Sequence, residues 1–187
     1  MAVADRVILG IDPGTLVMGY GLLHVKNNQL IPLSMGVIKL EKLDDHALRL
    51  KKIFERTIAI IEEYKPDELA IEAPFFGKNV QSMLKLGRAQ GVAIAAALSK
   101  NLPITEYSPK KIKMSITGNG NASKEQVAAM LQQILGVKHE SDFLDATDAM
   151  GAALCHYYQN KNAQTGSKSY TGWKAFLSDH PKRVVKK

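Results

Sequence analysis

The first forty residues alternate between apolar runs and turn signals. RVILGI (6 to 11) is rich in branched side chains and is closed by Pro13-Gly14, and MGYGLLHV (18 to 25) and LIPLSMGVIKL (30 to 40) follow, joined at Asn27-Asn28. Runs of this length bounded by turn residues predict three strands, the last two forming a hairpin. From Asp45 to Tyr64 the period changes: Leu48, Ile53, Phe54, Ile58 and Ile61 recur at helical spacing until Pro66 ends the pattern. ELAIEA (68 to 73) predicts a fourth strand, parallel to the first because a helix separates it from the hairpin. A long helix over 80 to 99 and a fifth strand at LPITEY (102 to 107) come next. Ser108-Pro109 opens a short helix that Gly118-Asn119-Gly120 breaks. Two more helices are predicted over 123 to 135 and 144 to 159. The order βββαβαβααα implies an α/β domain with a mixed five-stranded sheet flanked by helices. Beyond Asn160 the composition turns to Asn, Gln, Ser, Thr, Gly and Lys, so residues 1 to 160 are expected to form the domain and 161 to 187 a basic tail. Within that tail Tyr170, Trp173, Phe176 and Leu177 cluster at near-helical spacing, an expected docking segment ahead of four trailing cations.

Composition narrows the class. With 45% apolar and 23% charged residues in 187, the chain has ordinary globular usage and room for one compact domain, not two lobes. No run approaches the roughly 18 apolar residues of a membrane span, and the start MAVADRVILG lacks the basic-then-apolar order of a signal peptide, so a soluble cytoplasmic protein is expected. The single Cys155 has no partner for an internal disulfide and no CxxC pattern around it, so it reads as a core residue. On the 80 to 99 helix Gly87, Gly91 and Ala95 lie four apart, a smooth face suited to packing on the sheet or to a subunit interface.

The net charge of +7 is unevenly placed. Residues 78 to 124 hold eight Lys/Arg against one acid and residues 161 to 187 hold seven against one, whereas residues 125 to 160 hold one against five. A polyanion-binding surface beside an acidic pocket accounts for this segregation.

The acids carry the chemistry. Asp12 follows VILGI and Glu72 lies inside LAIEA, both in apolar strand contexts without a Lys or Arg in either strand core. Asp145 and Asp148 in LDATDAMGAAL sit one helical turn apart and project from one face. With the first and fourth strands adjacent, Asp12 and Glu72 share one end of the sheet, and the last helix can bring the other two there. Four carboxylates converging without basic partners imply divalent cations. Oxygen-only ligands favour Mg²⁺, with Mn²⁺ as a substitute, and an ion pair is the usual device for phosphodiester cleavage. Singly, each acid also has a structural reading: a turn former at Asp12, an edge-strand charge at Glu72, helix-start acids at Asp145 and Asp148.

ILGIDPGTLVMGYG (8 to 21), LAIEAPFFGKN (69 to 79), LKLGRAQGVA (84 to 93), the KIK…TGNGNASKEQV stretch (111 to 127) and LDATDAMGAAL (144 to 154) resemble, in order and in register, the RuvC family of Holliday-junction resolvases. The resemblance implies an RNase H-like fold and a homodimer that nicks two strands of four-way junction DNA in recombination and repair. It also implies two Mg²⁺ per site and a RuvA-RuvB branch-migration complex as partner. The family's four catalytic acids fall on Asp12, Glu72, Asp145 and Asp148, a junction-stacking aromatic on Phe75, and DNA-contacting lysines on Lys113 and Lys124. Lys85 and Arg88 are further candidates for DNA contact, with a solvated helix face as the ordinary reading. Three alternatives stand beside this one. GIDPGT (10 to 15) also resembles the phosphate loop of sugar kinases and actin-like ATPases, a non-catalytic junction-binding protein suits the charge, and a nuclease acting on RNA or an RNA/DNA hybrid suits the acids.

Overall fold

The computed structural model describes residues 5 to 74, 79 to 137 and 144 to 164. Strands β1 (Arg6–Asp12), β2 (Val17–Lys26) and β3 (Gln29–Lys39) lead into helix α1 (His46–Tyr64). After them come β4 (Glu68–Glu72), α2 (Val80–Ser99), β5 (Ile104–Tyr107), α3 (Pro109–Thr117), α4 (Lys124–Leu135) and α5 (Leu144–Gln164). The order of elements is the one the pattern predicts. Asn27 and Asn28 both take positive φ (50° and 63°), which closes the β2–β3 hairpin in two residues. Helix ends follow local chemistry: Ser108 caps α3 with Pro109 next to it, Gly118 stops it at φ 73°, and Ser123 with Gln126 forms a complete capping box on α4. α5 continues to Gln164, past the end its composition predicts.

The sheet order is β3-β2-β1-β4-β5, antiparallel on the hairpin side and parallel across β1, β4 and β5. Its two faces bury separate cores. Leu9, Ile11, Met18, Leu22, Ile38, Leu69 and Ile71 pack under α1 and α2, while Ile8, Leu23, Val25, Ala70 and Tyr107 pack under α3, α4 and α5. The buried stripe of α1 is Ile53, Thr57, Ile60 and Ile61, and Leu48 and Phe54 remain exposed. α2 buries Ala89, Gln90, Ala93, Ala96 and Ala97. The Gly87, Gly91, Ala95 face therefore points away from the sheet: a Cβ at Gly87 or Gly91 meets nothing within 4 Å, and Gly91 and Ala95 are exposed.

α5 lies backbone-on-backbone across β1 and β2. A Cβ on Gly10 would stand 2.0 Å from the Ala149 carbonyl oxygen and one on Gly19 1.9 Å from that of Asp145, so only glycine admits the helix this closely. A buried polar chain fastens the other end of the helix. Glu68 accepts from Arg6 Nη1 (3.3 Å) and is bonded to His156 Nε2 (2.8 Å), whose Nδ1 meets the Tyr107 hydroxyl at 2.8 Å. The His156 bond holds the Glu68 carboxyl below its ordinary value, against burial and with help from Arg6. Cys155 is fully buried, as its sequence context predicts. Among the described residues no helix is long and apolar enough to cross a membrane.

Candidate active site

Asp12 ends β1 and Glu72 ends β4, and the parallel register Ile11↔Ile71 sets them side by side at the same end of the sheet. The alternation Ile8, Gly10, Asp12 turns the Asp12 side chain to the α5 face. There the first two turns of α5 present Asp145 and Asp148. Carboxylate oxygens of Asp12, Asp145 and Asp148 all lie within 4.8 Å of one another, the spacing of a shared cation site. Glu72 stands outside that tight trio but lines the same cavity, about 350 Å³, together with Asp12, Asp148, Lys113 and Lys124. The spatial convergence of four acids is thus present in the fold.

One expectation is corrected. The acids are not without a basic partner, because Lys124 Nζ donates to Asp148 Oδ2 at 2.6 Å and stands 4.0 Å from Asp145. Lys124 is the first residue of α4, and the Ser123 cap fixes it facing the first turns of α5. The strand sequences do not reveal this contact, since the lysine comes from a helix 52 residues beyond Glu72. Burial alone would lower the Lys124 ammonium, but the Asp148 hydrogen bond and the charges of Asp148, Asp12 and Asp145 raise it on balance.

Even with that lysine the acids are poorly compensated. Burial, then the charges of Glu72, Asp148 and Asp145, push the Asp12 carboxyl up to about 8. Glu72 is pushed up to about 7, again by burial first and Asp148 second. Protons therefore occupy part of this site at neutral pH where divalent cations would bind, and ion binding must displace them. The donor set is oxygen only, which fits Mg²⁺ or Mn²⁺ and not a thiolate-bound metal.

Two supports of the site carry no signal in a motif scan. Gln90, 7% exposed on α2, donates to the Glu72 carbonyl oxygen (3.4 Å) and to Glu106 Oε2 (2.7 Å), tying the end of β4 to α2 and β5. Gly10, Gly19 and Gly21 set the depth of α5. Their alternation on the α5 face of β1 and β2 was a readable cue to a close helix. Of the basic candidates, Lys113 and Lys124 line the cavity, whereas Lys85 and Arg88 are exposed on α2 and do not line it. Phe75 lies outside the described residues, as do Tyr170, Trp173, Phe176 and Leu177 of the tail.

Comparison with known proteins agrees with this geometry. The family model described as crossover junction endodeoxyribonuclease RuvC matches residues 8 to 156. A crossover junction endodeoxyribonuclease RuvC from Christiangramia forsetii is 61% identical over 181 residues, covering 97% of this chain and 94% of that protein. One from Cytophaga hutchinsonii is 63% identical over 180 residues, covering 96% and 88%. Among solved structures, T. thermophilus RuvC in complex with a Holliday junction substrate superposes with a TM-score of 0.77 at 30% identity, covering 84% of this chain and 96% of that one. The fold is RNase H-like.

Proposed function

The chain belongs to the RuvC family of crossover junction endodeoxyribonucleases, and from that membership we propose that Asp12, Glu72, Asp145 and Asp148 are its catalytic metal ligands for symmetric nicking of four-way DNA junctions. The observation that carries the assignment is the trio of carboxylates within 4.8 Å, one at the end of β1 and two at the start of α5, with Glu72 on the adjacent strand. Two bound Mg²⁺ would supply Lewis acidity, lowering the pKa of an attacking water and neutralising charge at the leaving 3′ oxygen. Asp12, Glu72 and Asp148 all line the cavity, so the chain fixes where that charge is delivered. The α5 docking on Gly10 and Gly19 keeps the acids in place without reorganisation when substrate enters. Lys113 and Lys124 at the cavity wall hold the phosphate backbone, and Lys124 exchanges its Asp148 contact for a phosphate oxygen as ions and DNA arrive. Phe75, three residues after Glu72 in the sequence, stacks on a base where the junction opens.

The functional unit in this reading is a homodimer, since two equivalent scissile strands call for two equivalent sites. Exposed Leu84 (52%) and Leu98 (59%) beside Gly91 and Ala95 on α2 support placing the two-fold contact there. By family resemblance it acts beside a RuvA-RuvB branch-migration complex, and by composition in the cytoplasm, with residues 1 to 160 as the nuclease domain and 161 to 187 as a basic segment whose first residues continue α5 to Gln164.

The test is substitution of each acid: Asp12→Asn, Glu72→Gln, Asp145→Asn and Asp148→Asn. Each should abolish nicking while junction binding persists, because a metal ligand is lost but repulsion toward phosphate is relieved. Near-normal nicking by any three of them would refute the assignment.

A further inference from the structure

We infer that the open cleft between β3 and α1 is a second backbone-binding site, which takes phosphodiester groups of a junction arm beyond the scissile position. The inference rests on the nuclease reading above and extends it to a surface that none of the four acids touches. Tyr20, Gly36 and Ile38 form the floor of this cleft of about 530 Å³, and Lys39, Lys52 and Arg56 stand on its walls. No carboxylate lines it.

Charge pairing sets these three cations apart from their neighbours. On the same helix Lys51 reaches Glu55 at 3.7 Å, and Lys100, just past the end of α2, reaches Glu62 at 2.6 Å. Lys39, Lys52 and Arg56 make no ion pair among the described residues, although Lys52 and Arg56 lie one helical turn apart, where like charges repel. The Tyr20 hydroxyl likewise makes no hydrogen bond among the described residues. It is kept open by Gly36, where a Cβ would stand 2.8 Å from that oxygen. An unused O–H donor on the floor and three unpaired cations on the walls are the complement of a phosphate group.

Position favours the substrate over another anion. In the sheet register Asp12 pairs with Gly19 and Gly19 with Val37, so the cleft lies at the same end of the sheet as the acids, two strands away. At about 4.8 Å per strand that is about 10 Å in the plane of the sheet, the axial length of about three base pairs of duplex at about 3.4 Å of rise each. The cleft opens on the α1 face and the acids on the α5 face, so a backbone crossing this edge of the sheet meets both in turn.

The experiment uses the full chain and a four-way junction with long arms, with Ca²⁺ in place of Mg²⁺ for binding. For Lys52→Ala with Arg56→Ala, the slope of log affinity against log salt should flatten by about 1.8, which is about 0.9 per lost contact, with roughly ten-fold or greater weakening at 0.1 M salt. Melting temperature and the nicking rate at saturating junction should stay at wild-type values. Lys52→Arg with Arg56→Lys should keep the wild-type slope, and a junction with arms of only a few base pairs should bind both proteins alike. An unchanged slope in the double alanine variant, with wild type binding and nicking normally, overturns the inference and leaves the nuclease reading intact. Binding of an acidic peptide instead, competed by neither arm length nor salt in this way, also overturns it. Failure of wild type to bind the junction overturns the nuclease reading itself.

Discussion

Replacing Asp12 with asparagine should stabilise the metal-free protein while ending its activity, and the size of that gain should depend on pH. The carboxyl is held up to about 8 in the folded chain, by burial first and then by Glu72, Asp148 and Asp145, against an ordinary value of 3.8. A raised folded-state value means that the native protein binds the proton more tightly than the unfolded chain does. The linked stability is complete at low pH and is lost as pH climbs from about 4 towards about 8, after which the cost of the buried anion is constant. At about 1.36 kcal/mol per unit the ceiling is about 6 kcal/mol. The Lys124 ammonium is already counted in that value, and solvent screening, in an effective dielectric near 20, reduces the ceiling to about 1–2 kcal/mol. For a domain of this size that is about 3–6 °C in melting temperature. The assay is thermal unfolding of wild type and Asp12→Asn in EDTA from pH 5 to pH 9. The variant should gain on wild type steadily up to about pH 8. Saturating Mn²⁺ or Mg²⁺ should reverse the order, since ligand at 100 times its Kd contributes about 2.7 kcal/mol to wild type only. Parallel melting curves across the whole pH range would refute the claim that these acids are crowded and undercompensated.

Three further outcomes follow from the same geometry. Gly19→Val should lower the melting temperature by more than 10 °C or prevent folding, because even a Cβ there sits 1.9 Å from the Asp145 carbonyl oxygen; a mild shift would contradict the close docking of α5. Ala95→Glu on the exposed face of α2 should convert a dimer to a monomer in sedimentation at micromolar concentration without changing the melting temperature of the monomer, and an unchanged mass would remove α2 from the interface. Phe75→Ala should reduce nicking of intact junctions at least ten-fold with little loss of thermal stability, through about 1–3 kcal/mol of lost base stacking; a large drop in melting temperature would place Phe75 in the core.

Much of this architecture is legible in the chain because its signals are local. Period-two and period-3.6 runs mark the ten described elements, and Asn27-Asn28 and Ser108-Pro109 place a turn and a cap within a residue or two, whereas the capping box of Ser123 with Gln126 appears only in the structure. The parallel pairing of β1 with β4 follows from the intervening helix, and with it the meeting of Asp12 and Glu72. The less legible features depend on which face an element turns inward. Periodicity on α1 includes Leu48 and Phe54, yet the buried stripe runs through Ile53, Thr57, Ile60 and Ile61, and which of two adjoining apolar stripes turns inward is not encoded locally. The small residues of α2 divide in the same way, with Ala89 and Ala93 inward and Gly91 and Ala95 outward. Lys124 was legible only through family resemblance, since its contact with Asp148 spans 24 residues and two helices whose relative placement no local pattern encodes.

The central claim, that four converging carboxylates on this sheet serve to cut junction DNA, is tested most directly by offering the purified protein two substrates in Mg²⁺: a synthetic four-way junction and an RNA/DNA hybrid duplex. End-labelled strands would locate every cut. Paired nicks at symmetric positions near the crossover of the junction are expected, with ligatable products, loss of both nicks in EDTA and no cutting of the hybrid. Cleavage of the hybrid with an intact junction would contradict the claim.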